Sequence, residues 1–479
     1  MTNNNEFVKE IASIENDFPQ WYTDIVVKTE LADYGPVKGT MVIRPYGYAL
    51  WEIVQEEFNK QFKATGHKNA YFPMMIPYSY LTKEAEHVEG FAPEVALVTH
   101  YGKDKLAEPL VVRPTSETII CSMFSKWVHS WRDLPLLINQ WANVYRCEKT
   151  TRPFLRTSEF LWQEGHTLHA TEEEAKTETL QMLKIYEDFM KNIFAIPVIT
   201  GQKSDKEKFA GAVTTYTMEA MMLDGKSLQA GTSHYLGQNF AKAFDVQFYD
   251  QSSTLQYPYQ TSWGVSTRLI GALIMAHGDQ RGLKLPPKAA PIQVVIVPIG
   301  KNNENVDNAV NKIYKSLIKK NVKVFVDSSP QSPGWKFNQW EMKGVPLRIE
   351  VGPRDLENNT VCFSRRDTLE KTQIQLDKVA SSTIKYLNNI QKNMYNIAKK
   401  FRDKNIKTVH SFNALKIAVN NKKFAKAMWC GCRECEDKIK ELTGGATSRV
   451  MPFNQTPVGD TCVYCGKPAT KVMIFAKAY

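Results

Sequence analysis

The sequence predicts a mixed α/β (α+β) chain of several units, and three observations carry that prediction. The chain has 479 residues, 43% of them hydrophobic and 23% charged. That is an ordinary globular composition, at a length that divides into roughly three domains. Pro286, Pro287 and Pro291 punctuate the chain, and beyond them strand and helix patterns alternate. Five of the eight cysteines fall in the last fifty residues and set off a small terminal unit. The expected division is 1–286, 287–395 and 396–479.

Taken in order, the elements read as follows. The first twenty residues hold Glu6, Lys9, Glu10, Glu15 and Asp17 without an apolar core, so no secretory signal is expected. No apolar run reaches membrane-spanning length, and a cytoplasmic location follows by default. The arm to about Tyr34 is polar and then alternates through DIVVKTEL. Lys38 to Phe62 reads as a strand and then a helix. Thr171 to Asn192 is an amphipathic helix, with Thr171 as cap, Glu174 three residues on, and an apolar stripe of Leu180, Leu183, Tyr186 and Met190. Lys203 to Ala212, KSDKEKFAGA, is polar and reads as a mobile loop beside a binding site. After the prolines, Gln293–Ile299 is a continuous apolar strand, Asn303–Lys320 a helix and Val322–Asp327 a second strand. Strand, helix, strand implies a parallel pair with a crossover. Pro346–Gly352 and Thr360–Arg366 add two strands around a turn at Asn358 and Asn359. The chain closes on the strand-like VMIFAKAY.

Net charge is +11, which suits a polyanionic partner. Between Asn396 and Trp429 nine basic residues face one acid, Asp403, so this block alone supplies +8. It is either a phosphate-binding face or a solvated helix surface.

The sequence has neither a GxxxxGK phosphate loop nor a GxGxxG after a strand. Two arginine-bearing segments stand instead: NVYRCEKTTRPFLRTSEFLWQEGH, Asn143 to His166, and GVSTRLIGALIMAHGDQRGLKLPP, Gly264 to Pro287. Arginine suits phosphate because its planar, permanently charged fork bonds two oxygens at once. Arg146, Arg156 and Arg268 are the candidates for holding one ATP.

These segments resemble motifs 2 and 3 of the class II aminoacyl-tRNA synthetases. KGTMVIRPYGYALWE, Lys38 to Glu52, is similar to motif 1, with its proline at Pro45. RPTSET (113–118), WQEGHT (162–167), GTSHYLGQNF (231–240) and LPPKAAPIQVVIVPI (285–299) narrow the resemblance to the prolyl-tRNA synthetases, in subclass IIa. The resemblance covers nearly the whole chain in the expected order. It implies an antiparallel-sheet catalytic domain, an α/β anticodon-binding domain and a small C-terminal zinc-binding α+β domain, as in the archaeal and eukaryotic-type enzymes, whose last residue packs toward the catalytic domain; here that is Tyr479. Only about a hundred residues separate motifs 2 and 3, so no editing insertion is expected.

The implied activity is proline–tRNA ligation: L-proline is activated with ATP to prolyl-adenylate and then transferred to the 3′ end of tRNA(Pro), in protein synthesis. The implied ATP-binding residues are Arg146, Glu148, Arg156, Thr157, Gln229, Thr232, Ser266 and Arg268, with Mg2+; Arg146 and Arg268 are the catalytic pair. Proline would lie among Thr115, Glu117, Arg146, Trp162, Glu164, His166, Ser233 and His234, with a core role as the lesser alternative for Trp162 and His166. Arg348, Glu350 and Arg354, in GVPLRIEVGPRDLE, are the anticodon-binding candidates, or else internal salt bridges. A homodimer through motif 1 is expected. The alternatives are a threonyl or glycyl enzyme of the same fold, or a non-catalytic synthetase-like tRNA-binding paralogue. All three motif arginines are present, against the latter.

Cys121, Cys147 and Cys362 are scattered thiols. Cys430, Cys432 and Cys435 are followed, after a gap of 26 residues, by Cys462 and Cys465, a metal pattern rather than a disulfide pattern in a chain where no export signal is expected. CVYCGKP has the form of a zinc knuckle. In the first half three thiols compete for two places, and the resemblance selects Cys430 and Cys435. Four thiolates close the shell of a structural Zn2+.

Overall fold

The computed structural model describes residues 11–87, 94–300 and 303–479. The alternation through DIVVKTEL does not continue as an extended segment: Phe18–Lys28 is a helix, α1, capped by Asp17, whose Oδ1 accepts Gln20 N at 3.1 Å. Trp21, Tyr22, Ile25 and Val26 are buried on one side, a helical spacing that the short alternation hid. Strand β1 (Met41–Ile43) then leads into α2 (Pro45–Ala64). Pro45 sits in its first turn, where a missing N–H costs nothing.

The catalytic sheet is built from β2 (Leu136–Tyr145), β3 (Glu159–His169), β4 (Val198–Gln202), β5 (Thr214–Met221), β6 (Ser227–Gly237) and β7 (Tyr259–Ser266), in the antiparallel order β4-β5-β6-β7-β3-β2. Helix α3 (Glu172–Asn192) packs across it and carries the expected capping box between Thr171 and Glu174. Its buried stripe is Ala175, Thr179, Met182, Tyr186 and neighbours, with Leu183 and Met190 at the margin. Leu180 is 42% exposed, contrary to expectation, because it lies about 120° round the helix from the centre of that stripe. Helix α4 (Arg268–His277) is buried almost all round, and a Cβ on Gly271 would meet Leu155 Cδ2 at 2.5 Å. These helices and the sheet share one apolar core.

Beyond the prolines the expected crossover is present. Strand β8 (Val294–Pro298), α5 (Glu304–Ile318) and β9 (Val324–Val326) form a parallel unit. Helix α6 (Pro333–Met342) precedes β10 (Leu347–Val351), which is also parallel to β8. A short helix, α7 (Pro353–Glu357), and the left-handed Asn359 (φ 51°) turn the chain into β11 (Thr360–Arg365), antiparallel to β10 and to β12 (Lys371–Gln375). Arg366 binds Asp279 with two nitrogens at 2.7 and 3.0 Å and ties this unit to the first.

Helix α8 runs unbroken from Val379 to Lys404, so the expected boundary at 395/396 falls inside a helix with no Gly or Pro to end it. It leads to β13 (Ile406–Thr408), β14 (Phe424–Trp429), α9 (Arg433–Leu442), β15 (Thr447–Pro452) and β16 (Lys471–Ala476). Their order is β13-β14-β16-β15, and β15 pairs with β4 through Met451↔Gln202 and Pro452↔Gly201. The terminal strands thus extend the catalytic sheet. That junction requires a glycine, because a Cβ on Gly201 would lie 1.9 Å from Met451 O. Among the described residues no helix is long and apolar enough to cross a membrane.

Candidate active site and four-thiolate centre

Alternation along β3 aims Phe160, Trp162, Glu164 and His166 at one face of the sheet, and β6 offers Gln229, Thr232 and His234 to the same space. With Thr115, Glu117, Arg146, Ser266 and Arg268 they enclose a cavity of about 270 Å³. A second cavity, about 630 Å³, is lined by Glu148, Cys147 and Arg156 and shares Thr115, Arg146 and Phe209 with the first. Arg146 therefore stands at the junction.

Its Nε donates to Pro114 O at 3.0 Å, and its guanidinium lies 5.3 Å from the Phe160 ring centroid and 5.5 Å from that of Trp162. Arg268 is fixed by Nε donating to Leu155 O at 3.0 Å, at the start of α4. Burial, then the charges of Arg156 and Arg146, pull its pKa down to about 10. Burial also lowers that of Arg146, against Glu117, Glu148 and Glu164. Crowded, desolvated cations at a helix N-terminus favour a polyanion. Arg156 is more exposed, its Nε 3.6 Å from Glu148.

The end of the smaller cavity around Glu117 and Glu164 is acidic and hydrogen-bonded. Thr115 Oγ1 donates to Glu117. Glu164 accepts Ser116 Oγ at 2.5 Å, Gln140 Nε2 at 2.8 Å and His166 Nε2 at 2.9 Å. Two histidines in this pocket titrate in opposite directions. Burial lowers both, but for His166 the Glu164 carboxylate outweighs it and the net shift is upward. His234 hydrogen-bonds the hydroxyls of Thr215 and Thr232, at 2.9 and 3.0 Å, and burial followed by the His166 charge takes it down to about 3. His166 thus adds stability that is complete below its unfolded pKa and is lost as pH rises through the higher folded value. Glu164, held below the ordinary carboxylate range, adds stability that is lost as pH falls through its lowered pKa. Replacing Glu164 with Gln should drop the His166 pKa below its ordinary value. Imidazole proton resonances followed against pH would show this, and an unmoved titration would remove Glu164 as the cause.

The buried Trp162 Nε1 and Ser262 Oγ in the cavity wall have no protein hydrogen-bond partner. Two expected residues face elsewhere. Ser233, between Thr232 and His234, points to the opposite side of the strand and donates to Thr179 O at 2.7 Å. Thr157 is buried with its hydroxyl on Glu159 O at 2.7 Å and lines neither cavity. Phe160, Glu207, Phe209 and Thr215 line the cavity and were not anticipated. Period-two alternation from Trp162 back along β3 was the available signal for Phe160. The 203–212 segment is attached rather than free: its Phe209 ring lies 4.8 Å from that of His234.

In the second unit, Arg348 and Glu350 are buried and joined to each other at 3.0 Å. Arg348 also reaches Glu341 at 3.2 Å and lies 4.1 Å from the Phe337 ring centroid, while Lys371 bonds Glu350 at 3.0 Å. Any base they read must meet this network as it stands. Arg354 is exposed at the start of α7.

The Sγ atoms of Cys430, Cys435, Cys462 and Cys465 lie within 4.8 Å of one another, with Cys430 3.6 Å from Cys435 and 3.8 Å from Cys465. Tetrahedral thiolates about 2.3 Å from zinc have edges near ~3.8 Å, so this donor set fits the metal. Cys432 is turned away, with its Sγ 2.8 Å from Glu434.

An antiparallel sheet carrying adjoining arginine-lined cavities, without a phosphate loop, is the architecture of a class II aminoacyl-tRNA synthetase. Residues 99–277 match the class II core domain of the tRNA synthetases for G, H, P, S and T, residues 293–387 the anticodon binding domain, and residues 412–479 the prolyl-tRNA synthetase C-terminal family. The chain is 58% identical to proline–tRNA ligase 2 of Clostridioides difficile over 479 residues, covering 100% of this chain and 99% of that one. It is 59% identical to the proline–tRNA ligase of Alkaliphilus oremlandii over 475 residues, covering 99% of each. A crystal structure of prolyl-tRNA synthetase from Cryptosporidium parvum, complexed with halofuginone and AMPPNP, superposes with a TM-score of 0.94 at 42% identity, covering 98% of this chain and 99% of that one. The chain belongs to the prolyl-tRNA synthetase family, and its reaction is the ATP-dependent ligation of proline to tRNA.

Proposed function

We propose that the smaller cavity takes proline at its Glu117, Glu164 and His166 end and phosphate groups at its Arg268 end, that the larger takes the rest of ATP, and that Arg146 serves both. The observation that carries this is the position of Arg146 at their shared wall. The proline carboxylate, already ionised, attacks the α-phosphorus; a bond forms to that phosphorus and the bond to pyrophosphate breaks. No protein base is needed, and catalysis consists of positioning and charge stabilisation. Arg146 binds the α-phosphate and the carboxylate, Arg268 the γ-phosphate, and Glu148 with Arg156 the remaining nucleotide. Thr115, Glu117 and Glu164 receive the ring ammonium, and Trp162, His166 and His234 wall the ring. Gln229 and Thr232 would hold the nucleotide with its Mg2+, which would neutralise residual phosphate charge. The terminal ribose hydroxyl of tRNA(Pro) then takes the prolyl group and AMP leaves.

The wider reading follows the same family logic. Residues up to about 286 form the catalytic domain, the following unit binds the anticodon, and the last carries structural zinc on the four thiolates. The exposed Lys399, Lys404, Lys407, Lys416 and Lys422 offer phosphate contacts. A homodimer is supported by the exposed Tyr34, Val37, Val42 and Tyr48 around motif 1. The location is cytoplasmic.

Amino-acid-dependent exchange of labelled pyrophosphate into ATP, run with each proteinogenic amino acid, tests the central claim. Proline should be strongest. Alanine should give weaker exchange, because each missing methylene costs only about 1–3 kcal/mol. No exchange with proline would move the weight to the tRNA-binding paralogue.

A further inference from the structure

The 203–212 segment brings Glu207 and Phe209 into the amino-acid cavity, and its other side chains run into the C-terminal unit. At its base, Lys203 Nζ lies 2.9 Å from Glu219 Oε1, and Arg449 of β15 meets the same buried carboxylate at 3.0 and 3.2 Å. Ser227 Oγ donates to it at 2.7 Å. Burial works against ionisation there, but Lys203 and Arg449 bring Glu219 down to about 2, a carboxylate held between two domains. One residue on, Ser204 Oγ is 3.3 Å from Ser448 Oγ, which hydrogen-bonds Glu436. At the outer turn Lys206 pairs with Asp437. Glu436 and Asp437 stand in the first turns of α9, directly after Cys435 of the thiolate cluster.

A continuous path therefore runs from the four thiolates through α9 to the loop and on to Phe209. It ends against His234, with Phe209 N donating to Thr215 Oγ1 at 2.9 Å. A polar segment without regular structure has a large entropic cost of ordering. A ligand as small as an amino acid has few contacts with which to offset that cost. Anchors on the neighbouring domain offset it before the ligand arrives.

We propose that Lys206 and Asp437 are positioning residues for the amino-acid substrate. Through them the C-terminal unit holds the 203–212 loop so that Glu207 and Phe209 complete the proline cavity. This rests on the reading of the smaller cavity as the proline site. Neither residue touches a cavity wall, so their effect falls on proline affinity rather than on the chemical step.

The test is steady-state pyrophosphate exchange with the full-length, metal-loaded protein carrying Lys206→Glu, Asp437→Lys, or both. Each single reversal should raise KM for proline about ten-fold, with kcat and KM for ATP held within about two-fold, since like charges then face each other where the exposed Asp437 meets the more sheltered Lys206. The double reversal should return KM to within about three-fold of the parent. An unchanged KM in the singles, a double variant no better than either single, or a loss confined to kcat would overturn the proposal. Trp162→Ala is the control for the cavity itself. If it too leaves KM for proline unchanged, the cavity assignment fails; if it raises KM while the loop variants do not, only the positioning role fails.

Discussion

Arg146→Ala should lower kcat/KM for proline-dependent pyrophosphate exchange by about a thousand-fold, the upper range for losing one preorganised charge-stabilising group. It is the arginine that lines both cavities, so on the proposed reading its loss removes the contact between the two reactants as well as charge at the phosphorus. Arg146→Lys should recover little. A lysine ammonium cannot present two parallel donors, nor stack as a plane between Phe160 and Trp162. The fold should tolerate the change. Burial already depresses the Arg146 pKa, and neighbouring Arg268 is crowded by like charge, so removing the cation relieves repulsion. A thermal melt should accordingly stay level or rise while activity collapses. Activity retained above about a tenth of the parent would take Arg146 out of the role.

Cys462→Ser should release the metal and unfold the terminal unit. Structural zinc supplies on the order of 10–16 kcal/mol of apparent binding energy, more than a small domain's whole stability. Cys462 is buried within the cluster, and a serine hydroxyl there is a poor fourth ligand. The damage should spread. Losing β15 strips the edge of β4 and leaves Glu219 buried with one cation instead of two. Elemental analysis, thermal melting and exchange activity should therefore fall together. Cys432→Ser, whose thiol faces Glu434, should change none of them. Full zinc content and an unshifted melt in the Cys462 variant would refute the assignment.

Much of this site was legible in the chain because its chemistry is written in local words. Arg146, Glu164, His166 and Trp162 share one strand-and-loop segment, and their side chains converge as alternation along β3 requires. The same rule, applied one residue further in each direction, separates Phe160, which faces the cavity, from Ser233 on β6, which does not. The parallel crossover after Pro291 and the capping box of α3 were likewise local and were found. Reading failed where a pattern was too short to fix its period, as in DIVVKTEL, or where residue type left orientation open, as for Leu180.

By itself the sequence determined the family, the motif arginines, the strand–helix–strand crossover that opens the second unit, and the cluster of thiols from which four gather. Each depends on residue type and short spacing. Only the tertiary structure decided that β15 adds to the catalytic sheet at Gly201, that Arg348 and Glu350 pair with each other, and that the 203–212 loop is tied to the C-terminal unit. Those outcomes join residues hundreds of positions apart. Backbone pairing and buried charge matching at that distance are set by how whole surfaces meet, and no local stretch of sequence carries the partner's address.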